Sequence, residues 1–508
     1  MDIKGNRTTV RRPSRRPAAD VVATKQPAAA SRATRAKAAS KRAAAGQGRK
    51  NFPLPHYTAP TRPTRLVRKR LNMKRLLLRS AVTVAAVAFM TGGFLSWKAY
   101  SKLHKVFHGT TTVAALASKP VTPSLLKGEG DGRVNILLLG IGGPGHDGPD
   151  LTDTIVILSV DPVNNTAAML SIPRDLWVKQ PVNYFGAEQK INAAYESGKY
   201  HYLGKLDASG ANAAAVQAGF STIDQVVKNV LDVNVNYHLL VNFQAFRQAI
   251  DTVGGVTVNV PTPLIDPTMA WENHNNSVLA PAGVQQMDGV KALLYARSRE
   301  TTSDFARAER QRQILVSLKD KVLTAGTLSN PAKIDGLMNA FGDNVYSDLS
   351  TQGATRLMSI MKKVSDSKIN SLGLTDEPHK LVTTDHVGAT SVVRPLAGFD
   401  NYTAIQAYVH SQLPDGYLLK EHASVTVLAP TPAGATTTAA LLKEYGYNVT
   451  ATGTAPSGLG PVVVDVSHGK DPFTRHYLEQ RYNVKAVTSL PAGVTVTNGS
   501  TNFVIIGR

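Results

Sequence analysis

The chain has 508 residues, with 57 Lys+Arg against 36 Asp+Glu and no cysteine. This length allows two or three domains with ordinary cores, and the missing cysteines exclude disulfides and thiolate metal sites, in keeping with an extracytoplasmic protein. The net charge of +21 belongs to one end: residues 1–75 hold 21 Lys+Arg and two Asp, leaving 57 − 21 = 36 basic against 36 − 2 = 34 acidic residues downstream, so no specific nucleic-acid-binding body is expected.

Residues 1–75 are Ala, Pro, Ser, Arg and Lys without an apolar period, and read as a disordered basic tail. Ser80 to Trp97 then run 18 residues without a charge. With Leu76 to Leu78 joined through a snorkelling Arg79, residues 76–97 are expected to form one transmembrane helix. A cleaved signal peptide does not fit a basic leader of this length. The basic excess on the N-terminal side places the tail in the cytoplasm, at the anionic lipid surface, and everything after Trp97 outside the cell membrane. Residues 98–132, with prolines and Gly128-Glu-Gly-Asp-Gly132, read as a linker or stalk.

Val134 to Leu139 is the first expected strand. The Gly140-Ile-Gly-Gly-Pro-Gly145 that follows has the form of a dinucleotide-binding turn, but that turn needs a helix directly after it, and here Pro144 and polar residues lead to another strand, Thr154 to Val160. Asp147, Asp150 and Asp153 could supply carboxylate oxygens for Mg²⁺, against the plainer reading of a polar turn. A third strand, Ala167 to Ile172, ends at Pro173-Arg174-Asp175, the kind of strand end where α/β proteins place ligand groups. Helices are expected from Lys190, over Ala213 to Leu231 and over Phe246 to Val253, and strands over Tyr237 to Phe243 and Val256 to Val260. This alternation predicts an α/β fold, layered α-β-α with a mixed sheet.

The stretch from Tyr295 to Val322 concentrates charge in a helical phase. At about 100° per residue, Asp304, Arg307, Gln311, Leu315, Leu318 and Val322 share one face, polar in the first turns and apolar afterwards. Charges at the head of an inward stripe point to a helix whose start lines a polar pocket, although a solvated basic helix start explains the same residues. Asp304 could cap this helix. Upstream, Arg297 and Arg299 alternate with small residues, which in an extended segment sends both guanidinium groups to one side. Arginine's planar fork of donors matches phosphate oxygens.

Taken in order, Asn135-Ile-Leu-Leu-Leu-Gly140, Thr152-Asp-Thr154, Ser171-Ile-Pro-Arg-Asp175, Lys190-Ile-Asn-Ala-Ala194, Asp251 with Val253-Gly-Gly-Val256, Asp288-Gly289, Arg297-x-Arg299 and Asp304-x-x-Arg307-x-x-Arg310-Gln311 resemble the LytR-CpsA-Psr family. The resemblance implies a membrane-anchored extracytoplasmic phosphotransferase that takes an anionic glycopolymer from a polyprenyl-pyrophosphate carrier and attaches it to peptidoglycan. The alternative is a non-catalytic envelope protein that binds polyprenyl phosphates or wall polymer. Carried over, Arg174, Arg297, Arg299 and Arg307 match pyrophosphate-binding arginines, with Lys190 and Gln311 beside them, Asp153 matches an Mg²⁺-associated aspartate, and Asp304 the carboxylate opening the arginine-bearing helix. Arg174, Arg299, Arg307 and Asp304 form the expected catalytic set, and either Asp304 or Asp175 is a candidate base. Gly142 stands where the family commonly has aspartate, and Leu151 where it often has arginine.

Residues 133–413 are expected to be the catalytic domain, with its core in 133–325. After Pro414-Asp415-Gly416, residues 424–508 alternate strands and helices as a small α/β domain that resembles the LytR C-terminal domain, with Ala429-Pro430-Thr431 in place of the usual Asn-Gly. His468, Asp471 and His476 read as surface polar residues rather than a metal site.

Overall fold

The computed structural model describes residues 106–507 except 111, 118–119, 205–211, 300–303, 324–335, 338–340, 343, 376–378 and 497–500. The tail, the expected membrane span and the side chain of Asp304 lie outside the described residues. Among the described residues no helix is long and apolar enough to cross a membrane.

Strands β1 (Val134–Ile141), β2 (Thr152–Asp161) and β3 (Thr166–Ser171) come first. They are followed by the short pair β4 (Trp177–Lys179) and β5 (Glu188–Lys190), helices α1 (Ala194–Leu203) and α2 (Ala213–Leu231), strand β6 (Tyr237–Asn242) and helix α3 (Phe243–Val253). A lobe of two small sheets comes next: β7 (Val256–Val260) with β10 (Gly283–Met287), and β8 (Leu264–Ile265) with β9 (Val278–Ala280). Helices α4 (Gly289–Arg297) and α5 (Asp304–Leu323) lead to β11 (Val345–Ser347), α6 (Thr351–Met361) and β12 (Ile369–Gly373). The main sheet has the order β11-β6-β1-β2-β3-β12. It is mixed: β1 runs parallel to β6 and antiparallel to β2, while β3 runs antiparallel to β2 and parallel to β12.

Side-chain alternation along β1 explains the layers. Leu137 and Leu139 point to one face, packing with Phe220, Ile223 and Val227 of α2, and Val134 and Ile136 point to the other, with Tyr237 and Ile360. Helix α2 spans the expected residues because Asn212 caps it, its side chain accepting from the Ala214 amide, and its apolar residues recur at helical spacing. Gly289 at the start of α4 is required by close packing: a Cβ there would meet the Arg247 backbone at 2.3 Å, while the Gly289 amide donates to Asp251 Oδ1 at 2.7 Å. That contact accounts for the Asp251 and Gly289 signals, and Asp288 caps the same helix, its side chain accepting from the Lys291 amide at 2.8 Å.

The hairpin β13 (Val382–Val387) and β14 (Thr390–Pro395) precedes α7 (Thr403–Gln412) and α8 (Gly416–Glu421). A separate four-stranded sheet of order β16-β15-β18-β17 follows, built from β15 (Ser424–Ala429), β16 (Asn448–Thr454), β17 (Val462–Asp465) and β18 (Phe503–Ile506), with α9 (Pro432–Glu444) and α10 (Pro472–Tyr482). The stretch expected as a stalk is packed over its described part. Leu116 is buried with Leu349 and Ile360, and Leu126 with Val425 and Tyr477, because scattered apolar residues among prolines and glycines find partners more than 200 residues away that composition cannot show.

Candidate functional site

Helix α5 has the two-part face that its sequence predicts. Arg307, Gln311, Leu315, Leu318 and Val322 all line one cavity of about 460 Å³. Its walls beyond Gln311 are apolar: Leu138 and Val156 from the sheet, Phe246 and Ala249 from α3, and Leu337 and Phe341. Its other end gathers Asp153, Arg174, Asp266, Arg297, Arg299 and Arg307. A slot with one greasy end and one cationic end suits an amphiphile with an anionic head.

Each polar residue at this end has a structural reason to be there. Asp153 sits near the start of β2, and Arg174 follows β3, held at the turn by Pro173; the antiparallel β2–β3 pairing brings them together, with Arg174 Nη1 donating to Asp153 Oδ1 at 2.6 Å. The β4–β5 hairpin delivers Lys190, whose Nζ donates to Asp175 Oδ1 at 2.8 Å. Asn192 ties the turn, its amide donating to the Arg174 carbonyl at 3.2 Å and its carbonyl accepting from Thr152 Oγ1 at 3.0 Å. Asp175 also accepts from Arg299 Nη2 at 3.1 Å and lies 3.7 Å from Arg174 Nε. Burial pushes the Asp175 carboxyl up, but the Lys190 hydrogen bond, with Arg174 and Arg299 alongside, outweighs it and holds the group below its ordinary value. Such a carboxylate orients cations and is a weak base.

Arg297 lines the cavity together with Arg299, as expected, but not from an extended segment: it is the last residue of α4, and the chain extends only at Ser298. The period-two spacing misleads here because Gly289–Arg297 already follows a helical repeat into the core. Arg297 donates to Glu272 Oε2 at 2.7 Å and lies 4.8 Å from the Phe243 ring centroid. Gln311 Nε2 faces Thr154 Oγ1 at 3.4 Å and the Ala296 carbonyl at 3.3 Å.

Of the three aspartates considered for metal, only Asp153 lines the cavity. Asp150 is buried, taking Lys199 Nζ at 2.7 Å and Tyr200 Oη at 2.8 Å, and so is committed to a structural ion pair. Asp147 is exposed on the glycine loop. At Gly142 an added Cβ would meet His146 Cβ at 2.9 Å, so this loop has closed over the space an aspartate side chain would need. Among the described residues no group of three His, Cys, Asp or Glu gathers to hold a metal. His476 is half-buried and donates to the Leu126 carbonyl, and half-buried Asp471 accepts from Asn502, so both are tied into the fold rather than standing free on the surface. Sequence reasoning missed Glu272, Asp266, Ser298 and Phe243. The Asp266-Pro267 pair carried a helix-start signal, since Asp266 caps the turn beginning at Pro267, but nothing linked it to the arginines.

Residues 99–394 match the model of the LytR_cpsA_psr family, more than half of the chain. Among relatives, the polyisoprenyl-teichoic acid–peptidoglycan teichoic acid transferase TagV of Bacillus subtilis is 30% identical over 226 residues, 44% of this chain and 51% of TagV, so the match spans about half of that protein's length. TagU of B. subtilis, of the same description, is 28% identical over 56% of this chain and 80% of its own. The cell wall biosynthesis protein LcpA of Corynebacterium glutamicum is 28% identical over 62% of each chain. The crystal structure of B. subtilis TagV aligns over 55% of this chain and 97% of its own, at 27% identity and a TM-score of 0.42. The chain belongs to the LytR_cpsA_psr family.

Proposed function

We propose that this chain is a phosphotransferase that moves an anionic glycopolymer from a polyprenyl-pyrophosphate carrier onto peptidoglycan. The observation that carries the reading is the two-ended cavity, with its arginines at one end and Leu315, Leu318 and Val322 leading away from them. The names of TagU and TagV, polyisoprenyl-teichoic acid–peptidoglycan teichoic acid transferases, support the same class. In this reading the lipid lies along the apolar walls and the pyrophosphate among Arg174, Arg299 and Arg307. An acceptor hydroxyl attacks the phosphorus that bears the glycopolymer. The pyrophosphate P–O bond breaks, polyprenyl phosphate leaves, a phosphodiester forms and the hydroxyl proton is released. Such a step asks little covalent help from protein and much charge stabilisation, which fixed guanidinium groups supply. Arg297, Lys190 and Gln311 position the head group, and Asp175 orients Lys190, Arg174 and Arg299.

Mg²⁺ commonly takes one or two protein carboxylates and completes its shell with phosphate and water, and the single Asp153 carboxylate lining the cavity is compatible with that mode. Asp153 would hold it there, one of its oxygens already committed to Arg174. When bound, the ion would supply positive charge to the phosphate oxygens. The proposed arrangement of the whole chain is a cytoplasmic basic tail over 1–75, an anchor over 76–97, a segment over 98–132 whose described part packs against the following domains, an extracytoplasmic catalytic domain over 133–413, and a LytR C-terminal-like domain over 424–508. The test is incubation of the full-length chain in detergent with a polyprenyl-pyrophosphoryl oligosaccharide, peptidoglycan and Mg²⁺, followed by mass spectrometry. Acceptor-linked product with polyprenyl phosphate, lost on adding EDTA, is the expected result. Tight lipid binding without turnover would instead favour the non-catalytic binder.

A further inference from the structure

Arg310 belongs to the arginine-rich run of α5, yet it does not line the cavity. It is 6% exposed, and its guanidinium fork reaches backward: Nε donates to the Tyr295 carbonyl at 2.8 Å and Nη2 to the Ser298 carbonyl. The fork also lies 5.6 Å from the Tyr295 ring centroid. Tyr295 and Ala296 are in the last turn of α4, where helix carbonyls have no partner within the helix. Gln311, the next residue, meets the Ala296 carbonyl. Fully buried Ser298 is held from the other side, donating through Oγ to Asp266 Oδ2 at 2.7 Å. The residues between and after these fixed points are Arg297 and Arg299.

We infer that Arg310 is a positioning residue: together with Ser298 and Asp266 it clamps the end of α4, so that Arg297 and Arg299 are presented to the pyrophosphate as one rigid pair. The inference rests on the proposed function, which puts the pyrophosphate at those two arginines. A cation at a helix C-terminus is favourable, and a guanidinium can serve two carbonyls at once where an ammonium serves them one at a time. The cost of a buried charge is visible in Arg310 itself, whose burial brings it down to about 10, with Arg307 pushing the same way. A group kept in place at that cost, with no ligand of its own in reach of the cavity, acts through what it holds.

The test uses the full-length chain in detergent, with farnesyl pyrophosphate binding measured by titration calorimetry and folding by circular dichroism. Arg310→Lys is expected to weaken binding about tenfold in the wild-type background, and by less than about twofold when Arg297 and Arg299 are both alanine, since nothing is then left to position. An equal loss in both backgrounds would overturn the inference by showing that Arg310 acts on the ligand or the whole pocket directly, and so would no loss in either. Should Arg310→Lys fail to fold, Ser298→Ala removes only the hydroxyl tie to Asp266 and is expected to show the same dependence on background. A wild-type chain that does not bind farnesyl pyrophosphate would overturn the function reading, and this inference with it.

Discussion

Asp175 faces Lys190, Arg174 and Arg299 across 2.8 to 3.7 Å, so the arginines at the mouth are held before any ligand arrives. Preorganised charge of this kind needs no rearrangement during the reaction, which is why single changes should be costly. Arg174→Ala and Arg299→Ala are each expected to abolish transfer while far-ultraviolet circular dichroism stays as in wild type. Full activity in either would remove that residue from the site. Asp175→Asn keeps the shape but loses the charge that orients three cations, and is expected to lower transfer by about 100-fold. These residues were legible in the sequence because Pro173-Arg174-Asp175, Arg297-x-Arg299 and Asp304-x-x-Arg307 are compact signatures. Glu272 and Phe243, which brace Arg297, were not legible: each is an ordinary residue whose role arises only from where the fold places it.

Helix α5 carries two environments on one face, and its apolar turns can be tested apart from its polar ones. Leu315→Gln places an amide on the cavity wall and is expected to weaken a polyprenyl pyrophosphate at least tenfold while leaving inorganic pyrophosphate unchanged, as read by calorimetry. The helical phase made this face readable, but which of its residues line a cavity and which pack in the core could not be read, because both need the same side chains. Strand β6 carries a second testable feature. His238 is buried between Asp224 Oδ1 at 2.8 Å and Asp348 Oδ2 at 2.7 Å. Burial lowers its imidazole, but the hydrogen bonds to Asp224 and Asp348 prevail and raise it from 6.5 to about 9. A value raised on folding adds stability that is complete below pH 6.5 and is lost as pH climbs through about 9. The size of this effect is on the order of 3 kcal/mol. Denaturant melts are therefore expected to show stability falling between pH 6.5 and pH 9 in wild type, with that slope much reduced in His238→Gln.

At the scale of the molecule, the buried Asp415 and the half-buried Glu129 join the packed linker to the C-terminal part of the chain. Asp415 accepts from the amides of Gly130, Gly132 and Tyr417 and from Tyr477 Oη, and Glu129 accepts from Tyr447 Oη and Arg481 Nε. Asp415→Ala strands several buried donors and is expected to cost at least about 3 kcal/mol in denaturant unfolding, since each stranded buried donor costs about 1 to 3 kcal/mol. Local apolar period made β1, β2, β3 and β6 of the main sheet and the four strands of the C-terminal sheet readable, but not the short β11 and β12 at the edges of the main sheet. It did not show these joints, which link residues as far as 352 positions apart. In the proposed function one cavity holds the lipid along α5 and its pyrophosphate at the arginines. A polyprenyl pyrophosphate carrying a diazirine in its lipid, cross-linked to the full-length chain in detergent and mapped by mass spectrometry, tests this directly. Labelled peptides from α3 and the second half of α5, with yield cut by Arg299→Ala and by excess inorganic pyrophosphate, are the expected result. Labelling centred on the four-stranded C-terminal sheet, or a yield indifferent to both, would contradict it.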